Sequence, residues 1–169
     1  NNYNDIYATL DILQSEKKIP TTVITKHANP CGVSSNRSPL KSFKNSKASD
    51  PISSFGGVVA CNFKINLKLA LEIQKTFFEV LMAKGFDKNA LNLLKKKKNM
   101  RIIDISKITE DKKIKIKSFG NTFILQDRDS IIFDKEKLKF VTKSKPTKND
   151  LKEIEFAFRI CKFVKSNEI

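Results

Sequence analysis

The sequence predicts one α/β domain built on a mostly parallel or mixed sheet. Short apolar or β-branched runs alternate with amphipathic helical segments between residues 21 and 105. This alternation is typical of right-handed crossovers and of a sheet that helices cover on both faces. The chain has 169 residues, 40% of them hydrophobic, which is enough for a domain with a substantial core.

The predicted strands are short runs of β-branched and aliphatic residues bounded by turn-forming residues. Asp50 and Pro51 begin a turn, and Gly56 with Gly57 permits a sharp change of backbone direction before the second strand. The later runs predict an antiparallel extension. The predicted strands are residues 21–26, 58–61, 78–82, 101–105, 113–117, 122–126 and 138–142.

The predicted helices have apolar residues three or four positions apart. Asn4 and Asp87 are positioned to cap two of them, and Thr147 with Asp150 forms a capping-box pattern. The polar stretch 33–48 predicts a loop with one short helix. The predicted helices are residues 3–16, 39–45, 67–77, 87–97 and 148–164. The residues expected to face inward on the last helix are Leu151, Ile154, Phe158 and Cys161.

The stretch 26–32 is the main candidate for a functional site. Pro30 and Gly32 predict an end to regular structure after the first strand. A cation, the chain's one histidine, an amide and a thiol therefore lie at the end of a strand, where open α/β sheets bind ligands. Because the cation Lys26 disfavours an imidazolium beside it, His27 is suited to act as a general base. The alternative is a histidine that only hydrogen-bonds its own loop.

The same stretch invites comparison with zinc deaminases, which use a His-x-Glu proton shuttle and a Pro-Cys-x-x-Cys pair. Here Asn29 stands at the position of the Glu, and Ser34 at that of the second Cys. An amide cannot shuttle protons, and a tetrahedral zinc site would lack ligands. We therefore expect no metal, and a zinc-dependent nucleoside deaminase stays as an alternative function.

The chain carries a formal net charge of +15. This charge fits a polyanionic partner, so a basic nucleic-acid-binding module is a second alternative. It equally fits a composition rich in Lys, Asn, Ile and Phe. No spaced aromatic residues indicate a base-stacking platform, and we expect no nucleic acid.

No apolar run approaches the ~18 residues of a membrane span. Three widely spaced cysteines fit a reducing cytoplasm.

Two motifs resemble a known family. Residues 26–32, Lys-His-Ala-Asn-Pro-Cys-Gly, and residues 50–60, Asp-Pro-Ile-Ser-Ser-Phe-Gly-Gly-Val-Val-Ala, are similar to the transformylase half of the AICAR transformylase/IMP cyclohydrolase family. The likeness continues through nearly the whole chain. It implies a cytidine-deaminase-like α/β sandwich without zinc, in which residues 1–169 are a partial transformylase domain: the first subdomain and the start of the connection to the second.

The resemblance implies a reaction. It is formyl transfer from 10-formyltetrahydrofolate to the 5-amino group of AICAR, which gives FAICAR and tetrahydrofolate in de novo IMP biosynthesis. Lys26 and His27 would act together as the base, and Asn167, in the matching Lys-Ser-Asn segment, would orient the reacting groups. The residues expected to bind substrate are Asn29, Ser54, Phe55, Gly56 and Glu79.

The resemblance also implies an assembly. We expect a cytoplasmic homodimer whose active sites form across the interface, with AICAR and the folate as substrates and no membrane. The parent protein is expected to carry IMP cyclohydrolase activity as well. The cyclohydrolase half, an upstream arginine-containing phosphate-site motif and the second transformylase subdomain are missing from these 169 residues. We therefore expect these residues alone to be inactive.

Overall fold

The structure is a computed structural model that describes residues 2–109, 114–127 and 133–165. The described residues divide into two compact units, 2–108 with 163–165, and 109–162. The elements of the first unit are α1 (Asn2–Ser15), β1 (Thr21–Lys26), β2 (Asn29–Ser35), α2 (Pro39–Ser49), β3 (Val58–Cys61), α3 (Leu67–Ile73), β4 (Val80–Ala83), α4 (Lys88–Leu94) and β5 (Arg101–Asp104). Those of the second unit are β6 (Ile114–Phe119), β7 (Thr122–Asp127), a 3-10 helix (Lys135–Lys137) and α5 (Lys148–Cys161).

The five strands of the first unit form one mixed sheet in the order β2-β1-β3-β4-β5. β3, β4 and β5 are parallel to one another, whereas β1 is antiparallel to both β2 and β3. α3 and α4 connect the parallel strands in turn. The predicted α/β class with a mostly parallel or mixed sheet is therefore confirmed.

Helices cover both faces of this sheet. α1 contacts β1 and β3, and α2 contacts β1 and β2. The hydroxyl oxygens of Thr9 in α1 and Thr25 lie 2.5 Å apart, while the Ser42 hydroxyl in α2 donates to Thr22 Oγ1 at 3.0 Å. Side chains alternate along a strand, so Thr22 and Thr25 point to opposite faces. α1 and α2 consequently lie on opposite sides of the sheet.

The main apolar core lies on the α2 side, where α2, α3 and α4 all contribute buried side chains. Phe43 and Phe78 are fully buried there and pack edge to face, with their ring centres 6.1 Å apart. Burying an aromatic or aliphatic side chain of this size stabilises a fold by about 1.5–3 kcal/mol. This core fixes the strands whose ends carry the candidate site.

β2 corrects a prediction. The sequence predicted that regular structure would end at Pro30, with a loop from residue 33, yet Asn29–Ser35 is a strand. It lies at the edge of the sheet, and Pro30 is opposite Thr25, next to an irregularity in the register. Proline is tolerated at an edge or a bulge because no neighbouring strand needs its missing N–H. The predicted loop was wrong for this reason.

The helix ends also differ from the predicted ones. α2 extends beyond its predicted end at residue 45, whereas α3 and α4 are shorter than predicted. Asn4 lies inside α1 and is not its cap. Asp87 is at the N-cap of α4 without a side-chain capping bond. Its carboxylate forms an ion pair with Lys64 Nζ at 2.7 Å instead.

In the second unit, β6 and β7 pair as an antiparallel hairpin that forms its own two-stranded sheet. Residues 138–142 are not a strand. α5 begins at the predicted capping box of Thr147 and Asp150. Its expected inward face is not buried, since Ile154 is 44% and Phe158 57% exposed. Within the described ranges, no helix combines the length and apolarity required to cross a bilayer.

Candidate active site

The connection between β1 and β2 is a two-residue turn made of His27 and Ala28. Lys26 pairs with Asn29 across the ladder, and the two residues between them have φ values of 55° and 56°. Positive φ at both positions is the signature of a type I′ hairpin turn. A left-handed backbone costs a non-glycine residue roughly 1–2 kcal/mol. Contacts from outside the hairpin must therefore hold this turn.

Two such contacts come from α1 and from the second motif. The N–H of His27 donates to Asp5 Oδ2 in α1 at 3.0 Å. The ammonium of Lys26 donates to the carbonyl oxygen of Phe55, also at 3.0 Å. The second bond joins the two sequence motifs, which are far apart in the chain, at one end of the sheet.

The second motif is a tight loop stabilised by its own polar groups. Asp50 Oδ1 accepts the N–H of Ser53 at 2.9 Å, and the Ser54 hydroxyl donates to the Asp50 carbonyl oxygen at 2.6 Å. Hydrogen bonds from the side chain and backbone of Ser53 lower the pKa of the Asp50 carboxyl. Ser54 is fully buried, so its hydroxyl makes a structural contact, and its role at the substrate stays a prediction.

Phe55 and Gly56 bring this loop against the segment before β4. The N–H of Gly56 donates to the Phe77 carbonyl oxygen at 2.9 Å, and the ring centres of Phe55 and Phe77 lie 5.7 Å apart. Gly56 has a φ of 74°, a conformation that favours glycine. The N–H of Glu79 donates to the Gly57 carbonyl oxygen at 3.0 Å. Phe55 is 59% exposed, which suits its ring for packing against a planar ligand.

An open cavity of about 720 Å³ lies beside this loop. Phe77, Glu79 and Arg101 line it together with the first residues of α1. The carboxylate accepts hydrogen bonds and the guanidinium donates them. The cavity can therefore hold a polar ligand with both hydroxyl and anionic groups.

The site lies at an unexpected end of the sheet. Thr25, near the carboxyl end of β1, pairs with Val58, which begins β3. Val58 in turn pairs with Val80, and Val80 with Arg101. Because β1 runs antiparallel to its neighbour, the site sits at the amino ends of the parallel strands. The candidate site lies at the carboxyl end of β1, as predicted, but not at the carboxyl ends of the parallel strands, where open α/β sheets usually bind ligands.

The two cysteines of the first unit are thiols with raised pKa values. Burial, followed by the negative charge of Asp50, raises the pKa of the Cys31 thiol. Complete burial raises the pKa of Cys61 to about 12. A raised thiol pKa disfavours the thiolate, which is the nucleophilic form of cysteine. Within residues 2–109, 114–127 and 133–165, no group of three or more His, Cys, Asp or Glu side chains could hold a metal ion.

Contacts bring most of the predicted site residues to this one end of the sheet; they are Lys26, His27, Asn29, Phe55, Gly56 and Glu79. Asn167 lies outside the described residues. The described residues end at Lys165, which contacts the turn twice. Its N–H donates to Asn29 Oδ1 at 3.0 Å, and its ammonium donates to the His27 carbonyl oxygen at 2.7 Å.

Sequence reasoning missed Asp5, Phe77 and the contacts of Lys165. Asp5 is one of several polar residues on a predicted helix, and no local pattern distinguishes it. Its bond to His27 depends on how α1 packs on the sheet. Phe77 was predicted as the last residue of the helix 67–77, so it was not expected to lie in the segment that packs against the Phe55 loop.

The fold and the site define an α/β protein with a strained, charged turn at one end of a mixed sheet. The family model of the AICARFT/IMPCHase bienzyme matches residues 1–169. The chain therefore belongs to the AICARFT/IMPCHase bienzyme family.

Individual relatives agree with this assignment. The chain is 39% identical over 169 residues to the bifunctional purine biosynthesis protein PurH of Thermoanaerobacter sp. (strain X514), covering 100% of this chain and 33% of that protein. It is 39% identical over 171 residues to PurH of Buchnera aphidicola subsp. Schizaphis graminum (strain Sg), covering 100% of this chain and 32% of that protein. The chain thus spans about a third of the length of these curated relatives.

A solved structure supports the fold. A candidate formate dehydrogenase accessory protein from Desulfotalea psychrophila superposes with a TM-score of 0.53, covering 75% of this chain and 56% of that chain. The two sequences are 8% identical, so this likeness concerns the fold alone.

Proposed function

We propose that this chain is the part of a bifunctional purine-biosynthesis enzyme that transfers a formyl group. The donor is 10-formyltetrahydrofolate, the acceptor is the 5-amino group of AICAR, and the products are FAICAR and tetrahydrofolate. One observation carries the proposal. The Lys26–His27 turn is held against the Phe55 loop at one end of the sheet, in a chain that belongs to this family.

The reaction needs a base at the amine. The lone pair of the AICAR amine is conjugated with the ring and the carboxamide, so the nitrogen is a poor nucleophile. Its proton must leave as the nitrogen attacks the formyl carbon. In the proposal, the Lys26–His27 pair acts as the base, and His27 accepts this proton. The C–N bond to AICAR forms, the bond from the formyl carbon to N10 of the folate breaks, and N10 takes up a proton.

Positive charge at the turn assists the same step. The formyl oxygen gains negative charge when the amine attacks, and a nearby fixed cation stabilises it. The ammonium of Lys26 is held by its bond to the Phe55 carbonyl oxygen, so its position is set before the substrate arrives. Lys26 is therefore the cationic partner of the pair, and no metal is needed.

The other predicted residues bind and orient the substrates in this proposal. Phe55 offers an exposed ring, and Gly56 lets a ligand approach the backbone closely. Glu79 lines the open cavity and can accept hydrogen bonds from ribose hydroxyls. The side-chain oxygen of Asn29 accepts a backbone N–H, so its substrate contact would come from its NH₂ group. Asn167 would orient the reacting groups.

The test uses the full-length protein that contains this chain. Tetrahydrofolate release is followed with AICAR and the formyl donor, for the wild type and for His27→Ala. Loss of a general base lowers turnover by about 100-fold or more, and we expect AICAR binding to be retained. Cyclohydrolase turnover in the same preparations is the internal control and should not change.

Three results would contradict parts of this proposal. Equal turnover in the wild type and in His27→Ala would remove His27 from the chemistry. If His27→Ala lost cyclohydrolase activity and kept formyl transfer, this chain would belong to the cyclohydrolase reaction. A folded wild type without formyl transfer would refute the function itself. The isolated 169 residues are expected to be inactive, and robust transfer by them would refute that expectation.

We also propose that the full-length protein is a cytoplasmic homodimer. The hairpin of β6 and β7 exposes apolar side chains, among them Ile116 at 65% and Phe123 at 67%. A two-stranded hairpin is marginally stable in water, and an apolar surface of this kind favours a covering partner. The cysteines are free thiols, which fits a reducing compartment.

A further inference from the structure

We propose that Lys165 and Asn29 form a clamp that positions the His27 turn for catalysis, and that Lys165 is a positioning residue of the formyl-transfer site. The inference rests on the proposed function and adds a role that the motif comparison did not assign. The clamp consists of the two hydrogen bonds from Lys165, one to Asn29 Oδ1 and one to the His27 carbonyl oxygen.

The acceptors of the two bonds lie in the turn and directly after it. The His27 carbonyl belongs to the first turn residue, and Asn29 is the first residue after the turn. Both donors belong to Lys165, one from its backbone and one from its side chain. The turn and the chain near residue 165 are therefore fastened to each other at two points, over a sequence separation of 136 and 138 residues.

The clamp complements the contact with α1. Asp5 accepts the His27 N–H at 3.0 Å, and the Lys165 ammonium donates to the His27 carbonyl at 2.7 Å. Both backbone polar groups of His27 are thus bonded to side chains outside the hairpin. A strained backbone conformation persists only where surrounding groups hold it in place. Here two charged side chains hold it, one at the N–H of His27 and one at its carbonyl oxygen. Charge-assisted bonds of this length are stronger than neutral ones.

Positioning has a measurable consequence for the reaction. A displacement of about 1 Å in a catalytic group can lower the rate by about 100-fold, even when the mutated residue does not touch the substrate. Because Lys165 acts on the backbone of His27, its loss should lower kcat more than it alters the KM for AICAR. Arginine can donate to the same carbonyl, so it should restore most of the rate.

The experiment compares variants of the full-length protein. Lys165→Met removes the ammonium, Lys165→Arg keeps a cationic donor, and Asn29→Ala removes the side-chain acceptor. Lys139→Met, an exposed lysine of the second unit, is the matched control. We expect Lys165→Met to lower kcat by roughly tenfold or more, with the KM for AICAR within about threefold of the wild type. Lys165→Arg should recover most of this loss, and the control should behave as wild type.

A double variant tests the clamp as a unit. If both bonds position the same turn, the fall in kcat of the double variant Lys165→Met with Asn29→Ala should be smaller than the product of the two single falls. The first substitution already displaces the turn, so loss of the second bond has little further effect. Multiplicative losses would overturn the clamp. An unchanged kcat in Lys165→Met, or a lowered melting temperature with normal kcat in both single variants, would overturn it too.

Hydrogen exchange separates the clamp from the function. In Lys165→Met, the peptide that contains His27 should exchange its amides faster, and in Lys139→Met it should not. Faster exchange in Lys165→Met, together with a wild type that proves inactive in formyl transfer, would keep the clamp and refute the proposed function. Unchanged exchange in an active enzyme would refute the clamp and keep the function.

Discussion

At the scale of single residues, the backbone of the turn is held by groups distant in sequence. Asp5 binds the N–H of His27, Lys165 binds its carbonyl, and Lys26 reaches the carbonyl of Phe55. Each such bond has a charged donor or acceptor, which makes it stronger than a neutral hydrogen bond, and together they offset the cost of the left-handed residues. Small changes at these positions should therefore alter turn geometry, and with it activity, before they unfold the protein.

Gly32 gives a prediction at this scale. It lies beneath α2, its carbonyl accepts the Ser46 hydroxyl at 2.8 Å, and an added Cβ would collide with the Ser46 carbonyl group. Gly32→Ala must move either β2 or α2, and forced overpacking typically costs about 1–3 kcal/mol. We expect a clear fall in the melting temperature of the full-length protein, measured by calorimetry.

Gly56→Ala is the matched control for that measurement. No atom lies within 4 Å of a Cβ built there, although the φ of 74° disfavours alanine. Its penalty is thus conformational only, about 1–2 kcal/mol. If Gly32→Ala melts at the same temperature as the wild type, α2 does not pack on β2 as closely as the structure has it.

At the scale of elements, α1 does more than cover one face of the sheet. Its buried face packs through Leu10, Ile12 and Leu13, and its first turn presents Asp5 to the β1–β2 connection. A helix packed on rigid strands places a side chain more accurately than a loop does. The position of the turn is therefore coupled to the packing of α1.

Asp5 provides the prediction for this element. Asp5→Asn keeps an oxygen that can accept the His27 N–H, whereas Asp5→Ala leaves that donor without its acceptor. We expect Asp5→Ala to lower kcat roughly tenfold through displacement of the turn, and Asp5→Asn to keep most of the rate. Steady-state kinetics of the full-length enzyme measure both. Equal rates in Asp5→Ala and the wild type would show that the turn does not depend on α1.

At the scale of the molecule, the two units differ in how they bury apolar surface. The first encloses a core between its sheet and three helices. In the second, every residue of β6 and β7 is exposed, and α5 has no buried residue. Apolar side chains in such numbers destabilise a chain in water unless another surface covers them. This contrast is the physical basis for the proposed dimer.

The dimer gives a prediction for the whole molecule. Ile116→Lys with Phe123→Lys should weaken association of the full-length protein, because a charge cannot be buried in an apolar interface without a partner. Sedimentation velocity at several concentrations measures this. Lys117→Ala, on the same hairpin, is the control and should leave association unchanged. Unaltered association of the double variant would place the hairpin outside the interface.

The fold class, most of the elements and the two motifs are predictable from the amino-acid sequence alone. Alternation of apolar runs with helical periodicity carries that information locally, since strands and helices differ in the spacing of buried side chains. The capping box of Thr147 and Asp150 is likewise a local pattern, and it opens α5 as predicted. Local chemistry of this kind does not depend on what lies elsewhere in the chain.

The remaining features depend on contacts between residues that are distant in the sequence. Pro30 was misjudged because its tolerance depends on β2 lying at a sheet edge, which no local pattern encodes. The contacts of His27 with Asp5 and Lys165 join residues 22 and 138 positions apart. The end of the sheet that holds the site follows from the antiparallel pairing of β1 with β3. These are properties of long-range packing, which is set by the whole chain and not by any one segment of it.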